Sequence, residues 1–254
     1  MEEERMIELL VELHEELPRL GPGNNESTLR ALALCEQLPA AADILDVGCG
    51  TGAQTLDLAA GSDGRITAVD LFPGFLARLD KERERRGLED RIRTEIADMN
   101  ALPFDEASFD LIWSEGAAYV MGFDNALSKW RRLLRPGGYL VVSEISWFRS
   151  SPPIELSEYW AKNYPAIRSV EDNLTAARRL DWHAVGNFHL PVSAWTIDYY
   201  GALRERLPVF RAANADDADA QEVADMTEYE MSLMERFSDW YGYEFFAFQL
   251  VNEC

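Results

Sequence analysis

The sequence predicts a doubly wound α/β fold, a seven-stranded and mostly parallel sheet with helices on both faces, and three observations lead there. Ile44-Leu45-Asp46-Val47 is a short apolar run that reads as a buried strand. Gly48, Gly50 and Gly52 follow at alternate positions, and they let the backbone turn where a side chain would block a ligand. Ala53 to Ala60 then puts Leu56, Ala59 and Ala60 on one helical stripe, and apolar runs go on alternating with helical periodicity as far as Ile145.

Taken in order, residues 3 to 17 read as an amphipathic helix with Ile7, Leu10, Val11, His14 and Leu17 on its inner stripe. On that stripe His14 reads as a hydrogen-bonded core or interface histidine. Gly21-Pro22-Gly23-Asn24-Asn25 breaks the helix. Ser27 or Thr28 is the expected cap of a second one carrying Leu29, Leu32, Ala33 and Leu38. Thr51 is the expected cap of the helix after the glycines, whose outward N–H groups suit an anionic group.

Arg65 to Asp70 is the second strand. Asp70 ends it, 20 residues after Gly50, the separation at which an acidic side chain accepts hydrogen bonds from ribose hydroxyls. Phe75, Leu76 and Leu79 face a helix inward, Lys81 to Arg86 is its solvent side, and Gly87 suits its end. Arg91 to Ala97 alternates Ile92, Thr94 and Ile96 with charged residues, as a half-exposed edge strand does. Asp98 stands just past its carboxyl end, where open α/β sheets bind ligands.

Asp110 to Trp113 is the fourth strand, and Asn125 to Arg135 a helix with Ala126, Leu127, Trp130, Leu133 and Leu134 inward. Pro136-Gly137-Gly138 turns the chain into the fifth strand, Tyr139 to Ile145. Trp147, Phe148, Tyr159, Trp160 and Tyr164 crowd its end and read as core or as the wall of an apolar pocket. Asp172 to Leu180 is a helix, Trp182 to Leu190 the sixth strand and Tyr243 to Val251 the seventh. Between the last two, Pro191 to Gly242 reads as helical over Trp195 to Leu207 and Ala218 to Tyr241, with Val223, Met226, Leu233, Phe237, Trp240 and Tyr241 inward. A connection this long is a lid or a dimer arm.

Composition narrows the function classes. Lys and Arg number 24 against 45 Asp and Glu, a formal net charge of -21. Such a field disfavours nucleic acid and anionic membranes as partners. No apolar run approaches the ~20 residues of a membrane span, and the Met-Glu-Glu-Glu start is the reverse of a basic leader. Cys35, Cys49 and Cys254 form no spaced set for a metal or a disulfide framework, which fits the cytoplasm.

The glycine turn leaves two ligands in competition. Gly48-x-Gly50-x-x-Ala53 satisfies the dinucleotide fingerprint, and an NAD(P)-dependent oxidoreductase follows from it. Asp46 argues the other way, since a carboxylate there repels a pyrophosphate and attracts the ammonium and sulfonium of S-adenosylmethionine. The stretch from Ile44 to Gly52 resembles motif I of the class I S-adenosylmethionine-dependent methyltransferases. Later signposts of that family follow in order: Ala68-Val69-Asp70, Ala97-Asp98-Met99 through Phe104, Phe109 to Trp113, and Leu134 to Gly138. The resemblance covers residues 40 to 148, and Gly21-Pro22-Gly23 with Trp113 to Tyr119 is similar to a small bacterial subgroup of unassigned substrate.

What the resemblance implies is specific. Asp46, Gly48, Gly50, Gly52, Asp70, Asp98 and Met99 would hold S-adenosylmethionine, with Asp98 accepting from the adenine amine and Met99 beside the ring. Glu115 and Tyr119 follow the fourth strand, between donor and acceptor, so Glu115 is the candidate base and Tyr119 the candidate phenol. The N-terminal part would pack over the cofactor end of the sheet, and the seventh strand would lie antiparallel between the fifth and sixth. The expectation is one domain over residues 1–254: a helical cap (1–39), a cofactor-binding core (40–148) and a C-terminal half (149–254) with the helical insertion (191–242). The expected reaction is methyl transfer to a small-molecule acceptor without a metal, by a monomer or a homodimer. A protein that binds S-adenosylmethionine without transferring methyl is the alternative from a different class.

Overall fold

The computed structural model describes residues 1–251, and Cys254 lies outside the described residues. Strands β1 (Asp43–Val47), β2 (Arg65–Asp70), β3 (Ile92–Ile96), β4 (Phe109–Ser114) and β5 (Leu134–Trp147) are all parallel to one another. β6 (Arg168–Ser169) is a two-residue strand on the end of β5, which makes eight strands among the described residues where seven were expected. β7 (Trp182–His189) and β8 (Tyr241–Leu250) complete the sheet in the order β3-β2-β1-β4-β5-β8-β7. β8 lies antiparallel between β5 and β7, as expected.

Among the described residues ten α-helices flank the sheet: α1 (Glu3–His14), α2 (Asn25–Leu32), α3 (Ala53–Gly61), α4 (Pro73–Arg86), α5 (Phe123–Trp130), α6 (Ile154–Asn163), α7 (Val170–Arg179), α8 (Val192–Thr196), α9 (Tyr200–Ala213) and α10 (Ala218–Phe237). Alternate strand residues feed two cores. Ile44, Ile66, Leu111, Val141 and Phe245 pack with α1 to α4 and α8 to α10, while Leu45, Val69, Ile112, Val142 and Phe246 pack with α5 and α7. Burial on both faces is why the central strands read as continuous apolar runs. β3 is the edge strand its alternation implied, with Ile92 buried and Ile96 58% exposed.

Several local expectations are corrected. α1 buries Leu9 and Leu13, followed by Leu17, and leaves Ile7 and Leu10 exposed. Apolar residues line two stripes of this helix, and its partners α9 and α10 select the other one. The cap of α2 is Asn24, which accepts from the Ser27 N–H at 2.9 Å. α3 starts from Gly52 in the left-handed region with no side-chain cap, so Thr51 does not cap it. In α10, Met226 is 40% exposed, while Ala220, Ala224, Met231 and Met234 join Val223 and Leu233 inside.

β7 is parallel to β5, so its end and the start of β8 both lie at the carboxyl end of the parallel strands. The insertion leaves and re-enters the sheet there and packs on α1. His14 joins the two: Nδ1 meets the Leu10 carbonyl at 2.7 Å and Nε2 the Tyr199 hydroxyl at 2.8 Å. Burial holds this imidazole's pKa below its ordinary value. It is the hydrogen-bonded interface residue that its place on an apolar helix implied.

Candidate functional site

A cavity of about 430 Å³ opens at the carboxyl end of β1, β2 and β4. The glycine turn forms its floor, and the turn is built to spend its own donors. Gly48 and Cys49 N–H both donate to the Val69 carbonyl, at 2.9 and 3.0 Å, and Gly50 N–H donates to Asp70 Oδ2 at 2.9 Å. Gly52 N–H donates to the Cys49 carbonyl. Of the donors expected to face an anion, those of Gly48, Cys49, Gly50 and Gly52 are therefore spent within the fold, while Thr51, Ala53 and Gln54 at the start of α3 line the cavity.

Asp70 holds the turn from the end of β2, its other oxygen accepting from Phe72 N–H at 3.0 Å. It lines the cavity, and burial raises its carboxyl above the usual range despite those bonds. Asp98 and Met99 line the opposite wall. Asp98 is exposed, and its Oδ1 accepts from the backbone and side-chain N–H groups of Asn100, which lowers its pKa. The Trp130 indole donates to the Met99 carbonyl at 3.0 Å and fixes that loop. Gly48 and Gly50 line the floor, but Gly52 sits behind it against Leu79.

Asp46 is placed differently from the expectation. It is fully buried beneath the turn, outside the cavity lining, and accepts from Thr55 Oγ1 at 2.6 Å and Gln54 Nε2 at 3.4 Å. Its oxygens fix the start of α3. Burial pushes the Asp46 carboxyl up to about 7, with Thr55 only partly opposing it. The folded chain thus keeps a proton that the unfolded chain releases near pH ~4. Stability from this group is whole below the unfolded value and falls as pH rises toward 7. Asp46→Asn can keep the Thr55 bond through its carbonyl and has no proton to lose. Its melting temperature should gain on the wild type between pH 4 and 8, and parallel pH profiles would refute the placement of that proton.

Glu115 is brought to the cavity wall, yet its side chain is only 3% exposed and already engaged. Oε1 accepts from Thr28 Oγ1 at 2.7 Å and from the Trp113 indole at 2.9 Å; Oε2 pairs with Arg19 at 3.0 Å. Arg19 also reaches Asp57 at 3.2 Å. The network ties the segment before α2 to the end of β4 and makes Glu115 a latch. Sequence reasoning missed Arg19, Leu20 and Thr51 as cavity residues. The one available signal was the Arg19-Leu20 pair beside the Gly21-Pro22-Gly23 break. Leu20 lies on Gly50, and the Thr51 hydroxyl is buried without a partner. Tyr119 is 45% exposed at the inner wall, edge-on to Tyr164 with ring centres 6.0 Å apart.

Residues 44–138, the floor and both walls of this cavity, match the family model described as a methyltransferase domain. They are a class I methyltransferase domain. The fold agrees, since a methyltransferase of Geobacter sulfurreducens in complex with S-adenosyl-L-homocysteine superposes with a TM-score of 0.79 at 21% identity, over 96% of this chain and 97% of that one. The YjhP protein of E. coli gives 0.81 at 20% identity, over 96% and 99%. Among curated proteins, demethylmenaquinone methyltransferase of Clavibacter sepedonicus is 36% identical over 143 residues, 54% of this chain and 53% of that protein. The 27-O-demethylrifamycin SV methyltransferase of Amycolatopsis mediterranei is 30% identical over 102 residues, 40% of this chain and 38% of that protein. The chain spans about half or less of the length of these curated relatives. Among the described residues no three His, Cys, Asp or Glu gather as a metal site, and no helix is long and apolar enough to cross a membrane.

Proposed function

We propose that the protein transfers a methyl group from S-adenosylmethionine to a small-molecule acceptor. The observation that carries this reading is the charge of the cavity. Asp70, Asp98 and Glu115 line it against one cation, Arg19, which is itself paired. Those carboxylates repel a pyrophosphate, and the glycine N–H groups that are bonded within the fold cannot cradle one, which weakens the oxidoreductase alternative. A cationic, phosphate-free nucleoside suits the same walls.

The residues present fit such a ligand. A cavity of this volume is in the range that encloses small ligands. Asp70 would accept from the ribose hydroxyls and Asp98 from the adenine amine, with Met99 beside the ring. The unpartnered Thr51 hydroxyl would donate to the amino-acid carboxylate. When bound, S-adenosylmethionine supplies a sulfonium methyl already activated for in-line displacement. The chain then has to align the acceptor and exclude water. Arg19 to Pro22, latched by Glu115, close one side, and the insertion, residues 191–242, closes the acceptor side as part of a single domain. Glu115, engaged by three donors, serves closure rather than proton removal. The acidic chain and its buried thiols Cys35 and Cys49 suit a cytoplasmic enzyme on small molecules.

S-adenosylhomocysteine should raise the melting temperature, with a gain of ~2.7 kcal/mol at about 100 times its dissociation constant. NAD should not move it. Stabilisation by NAD alone would overturn the assignment. A protein that binds S-adenosylhomocysteine but methylates nothing in an acceptor screen would be the non-catalytic binder instead.

A further inference from the structure

Behind the cavity's inner wall lies a cluster of phenols around one carboxylate. Glu230, on α10, accepts from the Tyr200 hydroxyl at 3.1 Å and from Tyr159, and among the described residues no Lys, Arg or His pairs with it. Tyr199 and Trp195 pack on Tyr200 at 5.2 and 6.1 Å, and Trp195 reaches Tyr243 at 5.0 Å. Tyr241 packs on Trp160 at 5.2 Å. The Tyr241 hydroxyl and the Trp160 indole N–H are both buried with no partner, at residues 1% and 9% exposed. Buried polar groups left this way are rare in a finished core and call for a partner from outside the chain.

The cluster packs against the cavity wall. A Cβ on Gly116, in the cavity wall, would meet the Tyr243 ring at 3.4 Å. Tyr119 is exposed into the concave mouth, so surrounding protein still raises its phenol pKa, and the carboxylates of Glu230 and Glu144 add to that effect. Tyr243 is raised in the same way, with both carboxylates contributing. Glu144, whose Oε1 accepts from Tyr164 at 2.6 Å, leaves its second oxygen unpartnered.

We propose that this cluster is the acceptor subsite, and that it takes a small organic amine with its positively charged nitrogen among the tyrosine faces opposite Glu230. The inference rests on the methyl-transfer reading and names its substrate class. Glu230 is partly buried and desolvation raises its carboxyl above the usual range, so its charged form is costly without a cation and a ligand cation offsets that cost. Tyrosine rings bind ammonium groups through their faces. An acidic or phosphorylated acceptor would meet only repulsion here.

The chemistry balances. An amine that arrives protonated gives its proton to the Glu230 carboxylate. The nitrogen lone pair then attacks the methyl carbon, the C–N bond forms as the C–S bond breaks, and sulfur keeps that electron pair as the neutral thioether of S-adenosylhomocysteine. Positive charge passes from sulfur to nitrogen, where the ring faces stabilise it while Glu230 holds the proton it took.

The test is calorimetric titration of the full chain with choline and with its neutral isostere, in which carbon replaces the quaternary nitrogen. Both are run with and without saturating S-adenosylhomocysteine. Choline should bind at least about tenfold more tightly than the isostere. Glu230→Gln should lose that preference while its S-adenosylhomocysteine affinity stays unchanged and its melting temperature does not fall. Equal binding of the two probes, binding of neither, or a preference that survives Glu230→Gln would overturn the proposal. The wild-type comparison decides even where the variant does not fold. If S-adenosylhomocysteine fails to bind while choline is still preferred, the methyl-transfer reading falls and the cation subsite stands.

Discussion

Arg19→Ala should destabilise the chain by ~3–5 kcal/mol, because removing one partner of a buried ion pair strands the other. Arg19 and Glu115 are 11% and 3% exposed in their side chains, so water cannot replace the lost cation. Glu115 would keep only Thr28 and Trp113 as donors. For a chain of this size the melting temperature should fall by roughly 6–20 °C. Residues 1–24 should also become open to protease, since the pair ties them to the end of β4. Denaturant unfolding and limited proteolysis check both effects, and a loss within ~0.5 kcal/mol would mean that the latch carries nothing. The variant also separates two roles for Glu115. If Glu115→Ala stops methyl transfer in a protein that Arg19→Ala leaves active, Glu115 is the base after all.

Gly48→Ala should cost ~2–5 kcal/mol and weaken S-adenosylhomocysteine binding by more than about tenfold. Two terms add. Gly48 has φ +72, in the left-handed region that costs other residues ~1–2 kcal/mol. Its added Cβ would also stand 2.4 Å from the Ala117 Cβ, a short side chain that moves only with its backbone, so overpacking adds ~1–3 kcal/mol. Gly87→Ala is the control, with φ +65 but open space around the new methyl. The difference between the two variants isolates the overlap, and equal losses would show that Ala117 yields freely. Binding suffers because Ala117 belongs to the same cavity wall.

The strand–turn–helix at residues 43–61 was legible because its signals are local and agree with one another. An apolar run, glycines at alternate positions and a helical stripe exclude most other structures. The order of β4, β5 and β8 was reached through the family resemblance, since no local signal says which strands pair. What stayed hidden was decided by partners distant in sequence. α1 offers two apolar stripes, and only α9 and α10 choose between them. Thr28 looked like a cap but donates to Glu115, 87 residues away. Asp46 looked like a ligand contact, and its burial depends on Thr55 and Gln54 reaching back across the turn. Glu115 resembled a base, and its bonds from Arg19, Thr28 and Trp113 are ones that its own neighbourhood in the sequence does not announce.

The place of β8 has a consequence for how the chain is made. β5 pairs with it from Tyr139 to Trp147, yet residues 148–240 are synthesised between the two. Until β8 emerges, β5 carries a bare edge of N–H and C=O groups, and β7 has no neighbour to pair with. Bare edges recruit other chains, and pairings this distant form slowly. The ribosome therefore exposes an adhesive half-sheet for the time it takes to translate the insertion. α1, which the insertion later covers, must wait with it. Nascent chains halted before residue 241 should bind holdase chaperones, and chains extended past residue 250 should let them go.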